Sequence, residues 1–300
     1  MSEEYTKTPN MEKEILQRIL IEYLQETVAK IRTIAAQGGG KKILGSVIAR
    51  PDDVEIEIDP VGEVILRGLL EKHKQSATIF SEPENGDIQV GDKPDFYGAL
   101  DPFDNSILFL RGFEHNWYTV LSFFDKERNF LCGGVGDILN EKAYISDGMT
   151  TFLLGLRDGK KTILHPSSQR TLEGSLVLAT YLMSSQYSSK FLDVFGGLIR
   201  SMHPRALLYP YGGAHLYGYL AAGNVDAYVM FDEPRSEIDP GFGIAKAAGC
   251  LIGEVDKEGN WKDYEFIPGK QHDKVDFFIA AANPELRDAL VSYYKEVSKS

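Results

Sequence analysis

Asp101-Pro102-Phe103-Asp104-Asn105-Ser106 directly follows the apolar run Tyr97-Gly98-Ala99-Leu100. An apolar strand ending this way puts Asp101 and Asp104 on one tight turn with converging side chains. Two carboxylates so close repel each other unless a proton or a cation lies between them. Hard divalent cations such as magnesium take oxygen ligands of this kind, usually with a phosphate completing the shell. Asp, Pro and Asn are also ordinary turn residues, so on this stretch alone both readings stand. Three more acids fall at predicted element ends: Asp59 and Glu82 after strands, and Glu237 between a strand and a helix. Gly38-Gly39-Gly40-Lys41 suggests a phosphate loop, but Lys42 and Ile43 follow where a Ser or Thr is needed. It reads as a flexible connection. Cys132 and Cys250 have no paired spacing, so neither a disulfide framework nor a zinc site is indicated.

The elements that must position these acids form two halves, residues 1–167 and 168–300. The spacing of Ile15, Ile19, Leu20, Tyr23, Leu24, Val28 and Ile31 predicts an amphipathic helix over about 10–36. Asn10 would cap it. Residues 54–59 alternate like a strand with one wet face, and Pro60 opens a helix at its favoured first position. Strands follow at 78–80, 117–124, 130–136 and 143–145, which makes this half α+β. Beyond residue 168, strands at 175–182, 206–209, 225–231 and 276–282 alternate with helices at 188–202, 214–222, 241–248 and 284–297. That rhythm predicts an α/β half.

Composition narrows the function. A hydrophobic share of 43% supplies a sizeable core, and the formal charge of −12 argues against a nucleic-acid or anionic-membrane partner. An acidic chain that binds phosphate needs local cations, helix N-termini or metal ions. No apolar run approaches the ~20 residues of a membrane span, and no signal peptide is visible. The chain therefore reads as cytoplasmic, with a small metabolite as its partner.

Taken together, the motifs resemble a known superfamily. Asp101-Pro102-Phe103-Asp104-Asn105-Ser106 is similar to the Asp-Pro-x-Asp-Gly-Ser/Thr signature of the magnesium-dependent sugar phosphatases, the inositol monophosphatases and fructose-1,6-bisphosphatases. Phe80-Ser81-Glu82 resembles the strand-Gly-Glu-Glu segment that precedes it, and the distance from Asp59 to Glu82 is similar too. Gly212-Gly213-Ala214, the stretch 220–229 and Ala247-Ala248-Gly249-Cys250 continue the likeness in order, over roughly residues 10–290. The resemblance implies a layered α-β-α-β-α fold, with most metal ligands in the first half and the site completed by the second.

It further implies a magnesium-dependent phosphomonoester hydrolase, with manganese able to substitute. Glu82, Asp101, Asp104, Glu237 and the Phe103 carbonyl would hold the metal, whose bound form acidifies the attacking water. Ser106, hydrogen-bonded to Asp59, would orient or deprotonate that water, with Glu82 also catalytic. The Asn105 and Ser106 N–H groups would hold the phosphate, and Tyr211, Gly213 and Arg235 would face the substrate. Counting back from Ala248-Gly249 puts Glu237 rather than Asp239 at the ligand position; Asp239 would cap a helix begun by Pro240. Three departures stand out: Asn105 for a Gly, Pro83 for a second Glu (with Glu84 one place on), and Met230 for a sugar-contacting Glu. The last argues against inositol phosphate as substrate; the resemblance leaves a sugar bisphosphate or another small phosphomonoester in the lead. The first two motivate the alternative of a degenerate member that binds a phosphosugar without turnover. Members of the superfamily are commonly dimers or tetramers, which implies a homo-oligomer. His215, at a predicted helix start, has two readings, one facing the substrate and one as a satisfied surface or core His, of which the second is the simpler.

Overall fold

The computed structural model describes residues 9–46, 54–83 and 86–298; Glu84 lies outside them. In chain order the first half contains α1 (Pro9–Ala36), β1 (Ile43–Ser46), β2 (Val54–Ile56), α2 (Pro60–Lys72), β3 (Ala77–Ser81), β4 (Ile88–Val90) and β5 (Phe96–Asp104). It continues with α3 (Ser106–Leu110), β6 (Tyr118–Phe124), β7 (Phe130–Asp137), β8 (Lys142–Ser146), β9 (Thr151–Gly155) and β10 (Lys161–Ile163). The second half contains β11 (Val177–Ala179), α4 (Ser185–Ser201), β12 (Leu207–Tyr209), α5 (Leu216–Ala221), β13 (Ala227–Pro234), α6 (Arg235–Ile238) and α7 (Phe242–Ala248). It closes with β14 (Leu251–Val255), β15 (Trp261–Asp263), β16 (Lys274–Ala281) and α8 (Pro284–Val297).

Amphipathic periodicity forms α1 as expected. Leu16, Ile19, Leu20, Tyr23, Leu24, Val28 and Ile31 are all buried, against the eight-stranded sheet β10-β9-β8-β7-β6-β5-β3-β4. The helix begins at Pro9, so Asn10 lies inside it rather than at its cap. α8 starts as its sequence dictates, with Pro284 in the first turn and the Asn283 side chain accepting from Leu286 N at 3.0 Å. Gly249, at φ 106°, ends α7 in the left-handed conformation that a Cβ disfavours.

The second sheet has the order β12-β11-β13-β16-β14-β15. The sheet of this half is mixed. Only β12, β11 and β13 run parallel, and β16 is antiparallel to both of its neighbours. β14 and β15 form an antiparallel pair, and the chain then returns to slot β16 between β13 and β14. Strand–helix alternation cannot reveal that return.

Side chains along β13 alternate as strand geometry requires. Tyr228 and Met230 enter the core between the sheets, while Ala227, Val229 and Phe231 enter the core on the far side. α1 and α2 cover the first sheet, α5 and α7 lie between the sheets, and α4 and α8 cover the second. The result is the layered α-β-α-β-α arrangement. Among the described residues no helix is long and apolar enough to cross a membrane.

Candidate metal centre

Asp101 and Asp104 do not share a turn after the strand, as the sequence suggested; both lie within β5. Opposite them on β6, Asp101 pairs with Val120 and Asp104 with Tyr118. Three steps along β5 therefore match two along β6, which is a β-bulge. In a regular strand residues three apart face opposite sides. The extra residue cancels that alternation, and Pro102, which has no N–H for the ladder, is tolerated at such a break. Asn105 then takes the left-handed conformation at φ 74° and ψ 41°, and Ser106 opens α3. A Gly is the usual choice there, and Asn is among the residues that reach this region at least cost.

α6 brings the third acid from the other half. Oxygens of Asp101, Asp104 and Glu237 lie within 4.8 Å of one another. Glu82 lines the same cleft, on a backbone pinned by its N–H to the Leu100 carbonyl at 3.1 Å. Asp59 stands behind. Its Oδ2 accepts from Ile56 N at 2.7 Å, and its Oδ1 is 3.1 Å from the Ser106 hydroxyl. That hydroxyl is also 3.0 Å from the Phe103 carbonyl, so its one proton has two acceptors. These five carboxylates are between 1% and 9% exposed. Burial pushes the Asp101 carboxyl well above its ordinary range, and the charges of Glu82, Asp104, Glu237 and Asp59 push it further.

A hard cation fits this donor set. All the side-chain ligands are oxygens, and Asp101 Oδ1 is buried with no hydrogen-bond partner among the described residues. The space at the centre of the cleft measures about 10 Å³, room for one water-sized body. Larger clefts exist, one of about 390 Å³ lined by Arg128, Phe130, Lys246 and Tyr264 among others. Among the described residues, only the Asp101 group gathers three or more potential ligands closely enough for a metal.

His215, read from sequence most simply as a satisfied surface or core His, is part of this site. It is fully buried, and Asp104 Oδ2 accepts from its backbone N at 2.8 Å and from its ring Nδ1 at 2.6 Å. Asp104 Oδ1 accepts from Asn105 Nδ2 at 2.9 Å. Gly213 packs so tightly here, at φ 126°, that a Cβ would fall 2.3 Å from Asp104 Oδ1. No spacing rule flags His215, because the contact joins residues 111 positions apart.

Other expected site residues lie elsewhere. The Arg235 guanidinium is bonded to Glu254 Oε1 and to the Glu265 carbonyl, both at 3.0 Å, and stacks over Tyr264. These contacts tie α6 to the second sheet. Tyr211 packs its ring on His115 and Tyr209 and does not line the cleft, whereas Tyr181 and Gly212 do. Asp239 is not the N-cap of a helix begun by Pro240. It ends α6, the next helix begins at Phe242, and its carboxyl accepts from the Tyr264 hydroxyl at 2.6 Å. Met230 is buried, its sulfur taking the Tyr181 N–H at 3.2 Å.

No protein-family model matches the chain, and no curated protein matches it. Solved structures match over almost its full length. The extragenic suppressor protein SuhB of Bartonella henselae aligns at TM-score 0.68 and 16% identity, covering 94% of this chain and 98% of its own. An inositol monophosphatase of Zymomonas mobilis gives 0.67 and 17%, covering 96% and 100%. One from Thermotoga maritima gives 0.66 and 19%, covering 97% and 99%. At these identities the likeness is one of fold: the chain has the inositol monophosphatase fold, as its motifs implied.

Proposed function

We propose that this protein is a divalent-metal-dependent phosphomonoesterase acting on a small phosphorylated metabolite. The observation that carries the reading is the convergence of buried Asp101, Asp104 and Glu237 on this fold. Asp101, Asp104 and Glu237, with Glu82 beside them, would hold magnesium or manganese; the Phe103 carbonyl is a further oxygen donor. A cation held there would neutralise the acids and would lower the pKa of a water enough to make it a nucleophile. Ser106 would orient the water nucleophile, and Asp59, whose Oδ1 is within reach of the hydroxyl, would take up the proton. The opening N–H groups of α3 have no intrahelical acceptor and face phosphate oxygens. Burial of the acids keeps bulk water from screening these charges.

Neighbours of the fold are inositol monophosphatases by name, which supports a sugar-like phosphomonoester. Met230, apolar and buried, argues against inositol phosphate. A second reading, binding without turnover, is favoured by the narrow centre of the cleft and by Asp104 already accepting three hydrogen bonds.

Phosphate release from fructose-1,6-bisphosphate, inositol-1-phosphate and 4-nitrophenyl phosphate, with magnesium, manganese or a chelator, tests both. Hydrolysis that needs the metal and falls by at least about a hundredfold in Asp104→Asn is the expected result. Full activity after exhaustive chelation overturns the metal mechanism. Metal binding with no hydrolysis of any phosphoester supports the second reading.

A further inference from the structure

Asp104 belongs to the first half of the chain, yet its carboxylate is held by the second. Ala214 carries the backbone from Gly213 to His215, and this segment wraps around Asp104. Gly213 gives it room, and both nitrogen donors of His215 reach Oδ2. A carboxylate oxygen only accepts, so the ring nitrogen 2.6 Å away carries the proton. Asn105 Nδ2 also approaches that nitrogen, at 3.4 Å, but with Nδ1 protonated this is a contact and not a hydrogen bond.

The ring cannot swing away. Tyr118 stacks flat against it, with centroids 4.5 Å apart and planes 4° from parallel. Tyr219 meets it edge-on at 5.5 Å, and Tyr209 flanks it at 6.3 Å. Tyr118 and Tyr219 are joined through their hydroxyls, and Tyr209 is tied to Asn116 Oδ1 at 3.0 Å. The opposite ring nitrogen, Nε2, is buried and has no hydrogen-bond partner among the described residues. Burying a polar atom unpaired costs free energy. The observed compensation is on the other side of the ring, at Asp104.

A carboxylate offers about four acceptor directions. His215 N and Nδ1 take two on Oδ2, and Asn105 takes one on Oδ1. One direction remains, on Oδ1. We propose that His215 is the positioning residue of the metal centre: clamped by Tyr118 and Tyr219, its Nδ1–H and backbone N–H hold Asp104 Oδ2, so that Oδ1 is presented with Asp101 and Glu237 for a cation. The inference rests on the metal-dependent reading above and adds a residue to it. Partners that orient a ligating carboxylate typically set metal affinity by ten- to a hundredfold.

The test is calorimetric titration of the metal-free protein with Mn²⁺, comparing wild type with His215→Ala, His215→Asn and His215→Gln. Far-UV circular dichroism and a cooperative melt check each fold. Asn places an N–H where Nδ1 stands, whereas the Gln amide reaches the position of Nε2. Both lose the stacked ring. His215→Ala and His215→Gln should weaken Mn²⁺ binding about tenfold or more, and His215→Asn should recover most of the loss. Equal affinity in all four proteins overturns the proposal and leaves the metal reading intact. Losses in Asn and Gln of the same size overturn it too, since packing alone would then account for them. Should His215→Ala fail to fold, the Asn–Gln pair decides by itself. A wild type that binds no Mn²⁺ sinks the metal reading and this inference with it.

Discussion

Glu63 shows, beside the proposed centre, what burial does to a carboxylate outside the metal-ligand group. It accepts from the Ser81 hydroxyl at 3.0 Å, one residue before Glu82. Burial raises its pKa to about 7; the Ser81 bond lowers it, and the charges of Glu55 and Asp87 raise it again. The ordinary value is 4.5, so the folded form binds a proton more tightly than the unfolded chain. The stability this contributes is complete below about pH 4.5 and is lost as the pH rises through about 7. Glu63→Gln keeps an acceptor for Ser81 and cannot ionise. Its melting temperature should therefore decline less than wild type's between pH 5 and pH 8, by a few degrees. Parallel melting curves across that range would show that Glu63 titrates normally. At this scale the acids were legible in the sequence, because carboxylates at predicted element ends stand out by type and place. The contacts of His215 and Arg235 were not: each set is fixed by partners distant in sequence, Asp104 for one and Glu254 with Glu265 for the other.

At the scale of elements, α6 decides which acid faces the centre. β13 runs on to Pro234, and the one-turn helix after it projects Glu237 toward β5 while Asp239 turns back to Tyr264. Burial lifts the Asp239 carboxyl to about 7, with the Tyr264 bond and the Arg235 charge pulling it back. Glu237→Gln should weaken Mn²⁺ binding about tenfold or more, because it removes a charged ligand. Asp239→Asn keeps its oxygen for the Tyr264 hydroxyl and should leave the affinity within about twofold. Titration calorimetry on both variants checks this, and the reverse ranking would place the ligand at Asp239. Long helices were readable from apolar spacing, as the match of α8 to residues 284–297 shows. β4, β10 and β15 were not read, because three residues carry no dependable period, although β12, equally short, was. Nor was the bulge in β5 readable, because the pairing with β6 creates it.

For the whole molecule, the division at residues 167 and 168 is a boundary between sheets that share one core. Ala99 and Phe124 of the first sheet pack in a single cluster with Tyr228, Phe242 and Phe278 of the second half. The middle helices come this close because glycines face the first sheet. At Gly218 on α5 a Cβ would fall 2.9 Å from the Tyr144 ring, and at Gly243 on α7 it would fall 2.1 Å from the Phe130 ring. Helix propensity alone says that Gly→Ala stabilises by about 1 kcal/mol. At Gly243 the added methyl must displace a packed aromatic ring, and overpacking of that kind costs about 1–3 kcal/mol. Gly68 on α2 is the control: it is exposed, and a Cβ there meets nothing within 4 Å. Gly68→Ala should therefore raise the unfolding free energy by roughly 0.5–1 kcal/mol. Gly243→Ala should lower it, and shortening the ring with Phe130→Leu should return part of the loss in the double variant. Urea melts of the four proteins measure these differences. A Gly243→Ala protein as stable as Gly68→Ala would mean that the layer between the sheets is looser than its geometry, and that the two halves do not depend on this contact to stay joined.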